Sequence, residues 1–326
     1  MTDGAGEKRQ GLERATWAII GAMAAATLAW LPVADLALDR RGLVEPGLAG
    51  LSMAAGLFAW RVRWPDEKLA ALLASMLHLF LFTAFAGCLQ YLVAGLRLPL
   101  WDHTFHAWDA ALGLDWRAYL AFVDARPPLA EALTLAYRSL IPQIAAVCVV
   151  VGLSGRLAAL RTFTFAFTVS GLVCVLISGL MPAMTAYAHL GLGPADHPHL
   201  VPALADAHVA HLGAVRGGTF GPLSPAAVEG IIAFPSFHAT LGVLLIAAFW
   251  SVPFLRWPAC LLNLGLVAAT PLLGGHYFVD VFAGLLLGLG TLALANAVAA
   301  RDERGRAGRP EAAPDAVADG VGARGG

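Results

Sequence analysis

Charge is the scarcest property of this sequence. Only 13% of its 326 residues are Asp, Glu, Lys or Arg, against roughly 25% in a soluble domain. The two signs nearly cancel, at a formal net charge of −1, and no basic run interrupts the body of the chain; a nucleic-acid binder is excluded. Cysteine is also rare. Cys88, Cys148, Cys174 and Cys260 all stand in apolar stretches, which excludes a disulfide scaffold and predicts free buried thiols. Hydrophobic residues make up 59% and the mean hydropathy is +0.71. A soluble fold of this size could not bury so much apolar surface, so the composition predicts a polytopic membrane protein.

A spanning helix needs about 20 apolar residues. Eight segments fit, two of them short: 17–38, 43–60, 69–96, 129–153, 162–181, 231–255, 257–273 and 277–299. The first is too long for a secretory leader and reads as a retained anchor. The expected fold is all-α, a transmembrane bundle of about eight spans. Residues 1–16 form a cytoplasmic N-terminus, 17–68 two added helices, 69–299 a six-helix core, and 300–326 a polar tail expected to be disordered. Alternating connections hold fourteen Lys or Arg on one side and six on the other, with Arg138 inside a span. The positive-inside rule makes the richer side cytoplasmic. Two connections, 97–128 and 182–230, far exceed the usual 4–6 residues and fall on the exterior or periplasmic side, where function is expected. In 101–124, Trp101, Phe105, Trp108, Leu112 and Trp116 recur at helical spacing, predicting an amphipathic helix lying in the outer interface, either a brace or a gate for a lipid substrate.

Two segments break the apolar pattern. Phe234-Pro235-Ser236-Phe237-His238-Ala239-Thr240 opens the sixth span, with Pro235 suited to the first helical turn. Gly274-Gly275-His276-Tyr277-Phe278-Val279-Asp280 opens the eighth. His276 and Asp280, four apart, are expected to share a helix face. The carboxylate would orient one imidazole nitrogen and free the other for attack. Both segments start helices at the same face, so their N–H groups and dipoles are expected to converge on a shared anion. Ionisable groups within spans are functional by default.

FPSFHAT followed by GGHYFVDVFAG resembles the second and third signature motifs of the type 2 phosphatidic acid phosphatase superfamily. Phe237 between Ser236 and His238, and the Gly-His-Tyr-Phe-Val-Asp string, resemble in particular the branch of inositol phosphorylceramide synthase and its bacterial relatives. Pro182 to Tyr187 (PAMTAY), LGLDW and AYRSLIPQ are similar to that branch too, and the likeness covers about 100–290. It implies a six-helix catalytic core and phosphoryl transfer without metal or other cofactor. His276 would be the nucleophile that becomes phosphohistidine, Asp280 its orienting carboxylate, and His238 the acid that protonates the leaving oxygen.

The superfamily's phosphate-binding cations are missing, because their places hold Thr270, Cys174 and Met181. A phosphoryl group still needs positive charge or many donors. The candidates are Arg216, beside Gly217 and Gly218 in the long loop, and Arg138, whose nearest partner in its own span is Glu131. Ser236, the Gly275 backbone and Tyr187 are further substrate-binding candidates. The loop histidines His189, His197, His199, His208 and His211 have metal-like spacings but lack acidic or cysteine neighbours, and read as solvated rather than as metal ligands. The substrate expected is a lipid phosphate or phosphodiester drawn from the membrane lipids. Water as acceptor makes a lipid phosphatase, and an alcohol such as inositol or a sphingolipid makes a phosphotransferase. The competing class is a non-catalytic transporter or scaffold that keeps the pocket.

Overall fold

The computed structural model describes residues 10–34, 36–64, 66–224 and 228–307. The chain is an all-α bundle. Its helices are α1 (Gln10–Trp30), α2 (Val44–Arg63), α3 (Glu67–Ala94), α4 (Asp102–Ala111), α5 (Trp116–Asp124), α6 (Pro127–Arg138), α7 (Leu140–Ala146), α8 (Leu157–Leu180), α9 (Ala186–Leu190), α10 (Ala203–Gly217), α11 (Phe237–Trp250), α12 (Arg256–Leu273) and α13 (Phe278–Ala307). Every apolar segment read from the sequence contains a helix. Five of the described helices are long and apolar enough to cross a membrane, and the bent pair α6–α7, continued to Val151, makes a sixth. The protein is therefore a multi-pass membrane protein. The other two of the eight expected spans fall short for physical reasons. α2 carries Glu45, Arg61 and Arg63. α11 has only 14 residues, because residues 228–236 are not helical and the helix begins at Phe237.

Local signals start the helices. Asp66, Asp115, Thr185 and Ser236 each accept a backbone N–H three residues on, from Leu69, Ala118, Ala188 and Ala239. These caps satisfy orphan donors that lipid or protein would otherwise leave bare. α3, α8, α11 and α13 make the centre, with α11 packed on α8, α12 and α13. Close approach needs glycine: a Cβ on Gly284 of α13 would collide with the Ser236 carbonyl at the head of α11. Leu160, Phe163, Ala166, Leu244, Leu245 and Leu266 are sealed inside, whereas Leu51, Phe58, Leu261 and Leu286 face outward, as a lipid-exposed belt requires. α1 and α2 pack on α3, and α1 also on α8. At their charged end Arg61 and Arg161 both reach Glu13, and Arg161 reaches Glu67. The added helices are thus fastened to the core by ion pairs as well as apolar contact. All four cysteines are free.

The long connections fold. Residues 101–124 form two short helices rather than one, broken at Gly113, whose φ is +74°. Their buried side chains are Asp102, Phe105 and Asp109, then Trp116, Leu120 and Val123, while Trp108 and Leu112 are exposed. The expected tryptophan stripe is therefore split. The two carboxylates turn inward because backbone donors await them there, as described below. The polar tail begins later than expected, since α13 continues to Ala307; residues 308–326 lie outside the described residues.

Candidate active site

His238 and His276 stand at the heads of α11 and α13. Ser236 caps α11 and is fully buried. Pro235 comes before this cap rather than in the first turn, and His238 is the second helical residue. The segment before α13 holds His276 by its backbone from several sides. The Gly275 carbonyl accepts from the Ala186 N–H at 2.9 Å. The His276 carbonyl accepts from Trp116 Nε1–H at 3.0 Å. Gly275 has φ +69°, and a Cβ there would lie 2.9 Å from the Ala205 Cβ and 3.0 Å from the Thr185 Cβ. Only glycine satisfies both the left-handed backbone and the crowding.

α13 begins at Phe278, so His276 precedes the helix and does not share its face with Asp280. The pair meets all the same: His276 Nδ1 is 3.2 Å from Asp280 Oδ2. That oxygen also accepts the Tyr277 N–H at 2.9 Å. Asp280 thus holds a turn and a ring together, and of the two ring nitrogens it engages Nδ1 and not Nε2. His276 is buried, and burial lowers its pKa to about 4, with the Ala233 carbonyl near the ring pulling the other way. The ring is therefore neutral at physiological pH. The ring centroids of His238 and His276 are 6.4 Å apart. His238 stacks on Tyr137 at 4.6 Å with the planes 10° apart.

Two carboxylates that sequence reasoning passed over complete this scaffold. Asp102 Oδ1 accepts the Tyr277 hydroxyl at 2.9 Å, and both its oxygens accept the Met184 N–H at 3.0 Å. Asp109 accepts the Phe278 and Val279 N–H groups, both at 2.9 Å. The signal was present as two acids seven residues apart, two helical turns on one face, but the tryptophan pattern of the same segment masked it. Burial pushes the Asp109 carboxyl up, and the two amide bonds pull it back. The N-terminus of α13 was expected to face an external anion; Asp109 occupies it instead. Likewise the Ser236 N–H donates to the Asp280 carbonyl at 3.0 Å.

The remaining candidates sit as follows. The Ser236 oxygen accepts the Ala239 N–H at 3.4 Å. Tyr187 is buried against Trp116 and His197, and its hydroxyl has no partner among the described residues. Arg216 lies in the last turn of α10, donates to the Leu98 carbonyl at 2.9 Å and is half-buried. Gly218 is the left-handed cap of that helix. α10 meets Gly275 at Ala205, eleven residues away from Arg216. At 1.5 Å per residue that is about 16 Å of helix, and the Arg216 guanidinium is engaged at Leu98. Arg138 ends α6 and is exposed, and no ion pair with Glu131 occurs among the described residues. Cys174 and Thr270, in the places of the missing cations, are buried, and the Thr270 hydroxyl turns back to the Leu266 carbonyl.

Two of the five loop histidines are buried rather than solvated. His197 Nδ1 meets the Leu200 carbonyl at 2.8 Å, and His208 Nε2 meets the Ala183 carbonyl at 2.9 Å. Burial lowers the His208 pKa to about 4. His211 pairs with the Tyr91 hydroxyl at 2.6 Å, while His189 and His199 are exposed. The loop is long because it folds into α9 and α10, and the buried rings knit these helices to the bundle. Among the described residues no group of three or more His, Cys, Asp or Glu is arranged to hold a metal ion.

A family model described as the PAP2 superfamily matches residues 103–294, a stretch that runs from α4 into α13 and contains His238, His276 and Asp280. No curated protein and no solved structure matches the chain.

Proposed function

The chain belongs to the PAP2 superfamily, whose members are phosphatases and phosphotransferases, and from that premise we propose that it transfers the phosphoryl group of a membrane lipid through a phosphohistidine on His276. The observation that carries the proposal is the His276–Asp280 pair, 3.2 Å apart, with the His238 ring centroid 6.4 Å from that of His276. Nε2 of His276 attacks phosphorus, and the bond from phosphorus to the leaving oxygen breaks. His238 takes up a proton when the phosphate's negative charge enters the site, and gives that proton to the leaving oxygen. The acceptor hydroxyl then attacks the phosphohistidine, returns a proton to His238 and frees His276. Asp280 fixes the reactive tautomer and offsets the positive charge that develops on the imidazole.

The substrate is a lipid phosphate or phosphodiester, and the acceptor is water or an alcohol such as inositol or a sphingolipid. The Gly-His-Tyr-Phe-Val-Asp string and the bulky Phe237 support a relation to the inositol phosphorylceramide synthase branch. The distribution of Lys and Arg supports a site on the exterior or periplasmic side.

The test is turnover of lipids labelled at phosphorus by the purified protein, with acid-quenched and base-quenched samples probed for phosphohistidine. Base-stable, acid-labile label that disappears in His276→Ala is the expected result. Free phosphate as product identifies a phosphatase, and label appearing in an added polyol or sphingolipid identifies a transferase. Full turnover by His276→Ala would refute the mechanism and favour a non-catalytic pocket.

A further inference from the structure

Nothing in the site so far holds the phosphoryl oxygens. The superfamily's cations are absent, Asp109 fills the N-terminus of α13, and the guanidinium of Arg216 is engaged at Leu98. The carboxylates that surround the segment, Asp102, Asp109 and Asp280, would repel an anion. Donors are therefore needed, and they should be buried and unspent.

Tyr137 fits that requirement. It is 5% exposed, and its hydroxyl has no hydrogen-bond partner among the described residues. An orphan hydroxyl in so buried a place carries a desolvation penalty that a ligand would relieve. Its direction is fixed by two contacts. The ring lies flat on His238, at 4.6 Å and 10°. The hydroxyl oxygen and Cδ2 of His276 converge on the bare face of Gly274: a Cβ at that residue would stand 2.8 Å from the oxygen and 2.7 Å from Cδ2. Cδ2 is bonded to Nε2, the nitrogen that Asp280 leaves free. The hydroxyl thus shares the space over Gly274 with the edge of His276 that carries Nε2, and belongs to the ring stacked on His238.

We infer that Tyr137 is a catalytic residue whose hydroxyl donates a hydrogen bond to an oxygen of the tetrahedral phosphoryl group at His276 Nε2, taking over part of the work of the missing cations. The ligand class is a tetrahedral or trigonal-bipyramidal oxyanion of phosphorus. Its ring also shields one face of His238 and keeps that imidazole turned toward the leaving oxygen. Gly274 is glycine for the same reason, since a methyl group there would fill the space the hydroxyl and the phosphoryl oxygen share. The inference rests on the reading of His276 as nucleophile.

Tyr137→Phe keeps the ring and its stack and deletes only the oxygen. We expect kcat to fall at least tenfold and the inhibition constant for orthovanadate to rise at least tenfold. The thermal midpoint should not drop, because a hydroxyl without a protein partner contributes nothing to the fold. Activity and vanadate inhibition within twofold of the native protein would overturn the inference, while loss of phosphohistidine label in His276→Ala would leave the nucleophile assignment standing. A midpoint that falls together with activity would also overturn it, by showing the hydroxyl to be a structural donor. Undiminished turnover by His276→Ala would remove the nucleophile reading and this inference with it.

Discussion

Asp109 gives the sharpest test of how the segment that carries His276 is held. Its carboxylate takes the N–H groups of Phe278 and Val279, both at 2.9 Å, and is 1% exposed. These are the first two residues of α13, whose orphan donors no intrahelical carbonyl can satisfy. Hydrogen bonds to a charged group contribute about 1.5–3 kcal/mol each, and an anion at a buried helix N-terminus adds up to about 2 kcal/mol. Against this stands the desolvation that pushes the Asp109 carboxyl upward, so the lower end applies. Asp109→Ala should cost about 3–4 kcal/mol, out of the 5–15 kcal/mol typical of a whole domain. Asp109→Asn keeps one acceptor and turns an amide N–H toward the other donor, for a loss of about 2 kcal/mol. His276 lies two residues upstream, so part of the loss appears as misplacement of the proposed nucleophile. If all 2 kcal/mol fell on the transition state, kcat would drop about 30-fold. The assay is turnover in detergent with the thermal midpoint measured on the same sample. Asp109→Glu should recover part of both. If Asp109→Ala kept kcat within twofold and an unchanged midpoint, the two N–H bonds would not be what positions the segment.

Asp280→Asn should cost 10²–10⁴ in kcat with little change in KM, because an amide can present its N–H to Nδ1 and stabilise the wrong tautomer; equal effects on both constants would argue against an orienting role. Gly275→Ala should lower the thermal midpoint and abolish turnover, since it imposes strain at φ +69° and contacts of 2.9–3.0 Å; near-native kinetics would mean the segment can shift freely. Acidification should destabilise the protein. The folded state holds His276 and His208 to about 4 against 6.5 unfolded, so the unfolded chain binds more protons between those values. The stabilisation is complete above pH 6.5 and is lost as pH falls toward 4. A thermal midpoint flat from pH 7 to 4.5 would contradict that burial. Chelation by EDTA should leave turnover intact under the proposed chemistry, and restoration by zinc of a chelator-sensitive activity would overturn it.

The sequence by itself determined the all-α membrane class, the apolar helical segments and the pairing of His276 with Asp280. Composition and local motif spacing carry that information, because burial in lipid demands long apolar runs and each ionisable residue inside them stands out. Even the His276–Asp280 contact was legible, though through a turn before α13 instead of one helix face. What only the tertiary structure decided lies between distant segments. Asp102 and Asp109 meet backbone donors some 80 to 170 residues away along the chain, and Tyr137 reaches His238 and Gly274 from another helix. The aromatic row from Trp101 to Trp116 gave the stronger periodic signal and concealed Asp102 and Asp109, which turn inward beside Phe105 of that same row. The loop histidines looked solvated because polarity is local, whereas burial depends on which helices fold back over them. Arg216 looked close to the site because it precedes FPSFHAT in sequence; the axis of α10, set by packing, carries it away.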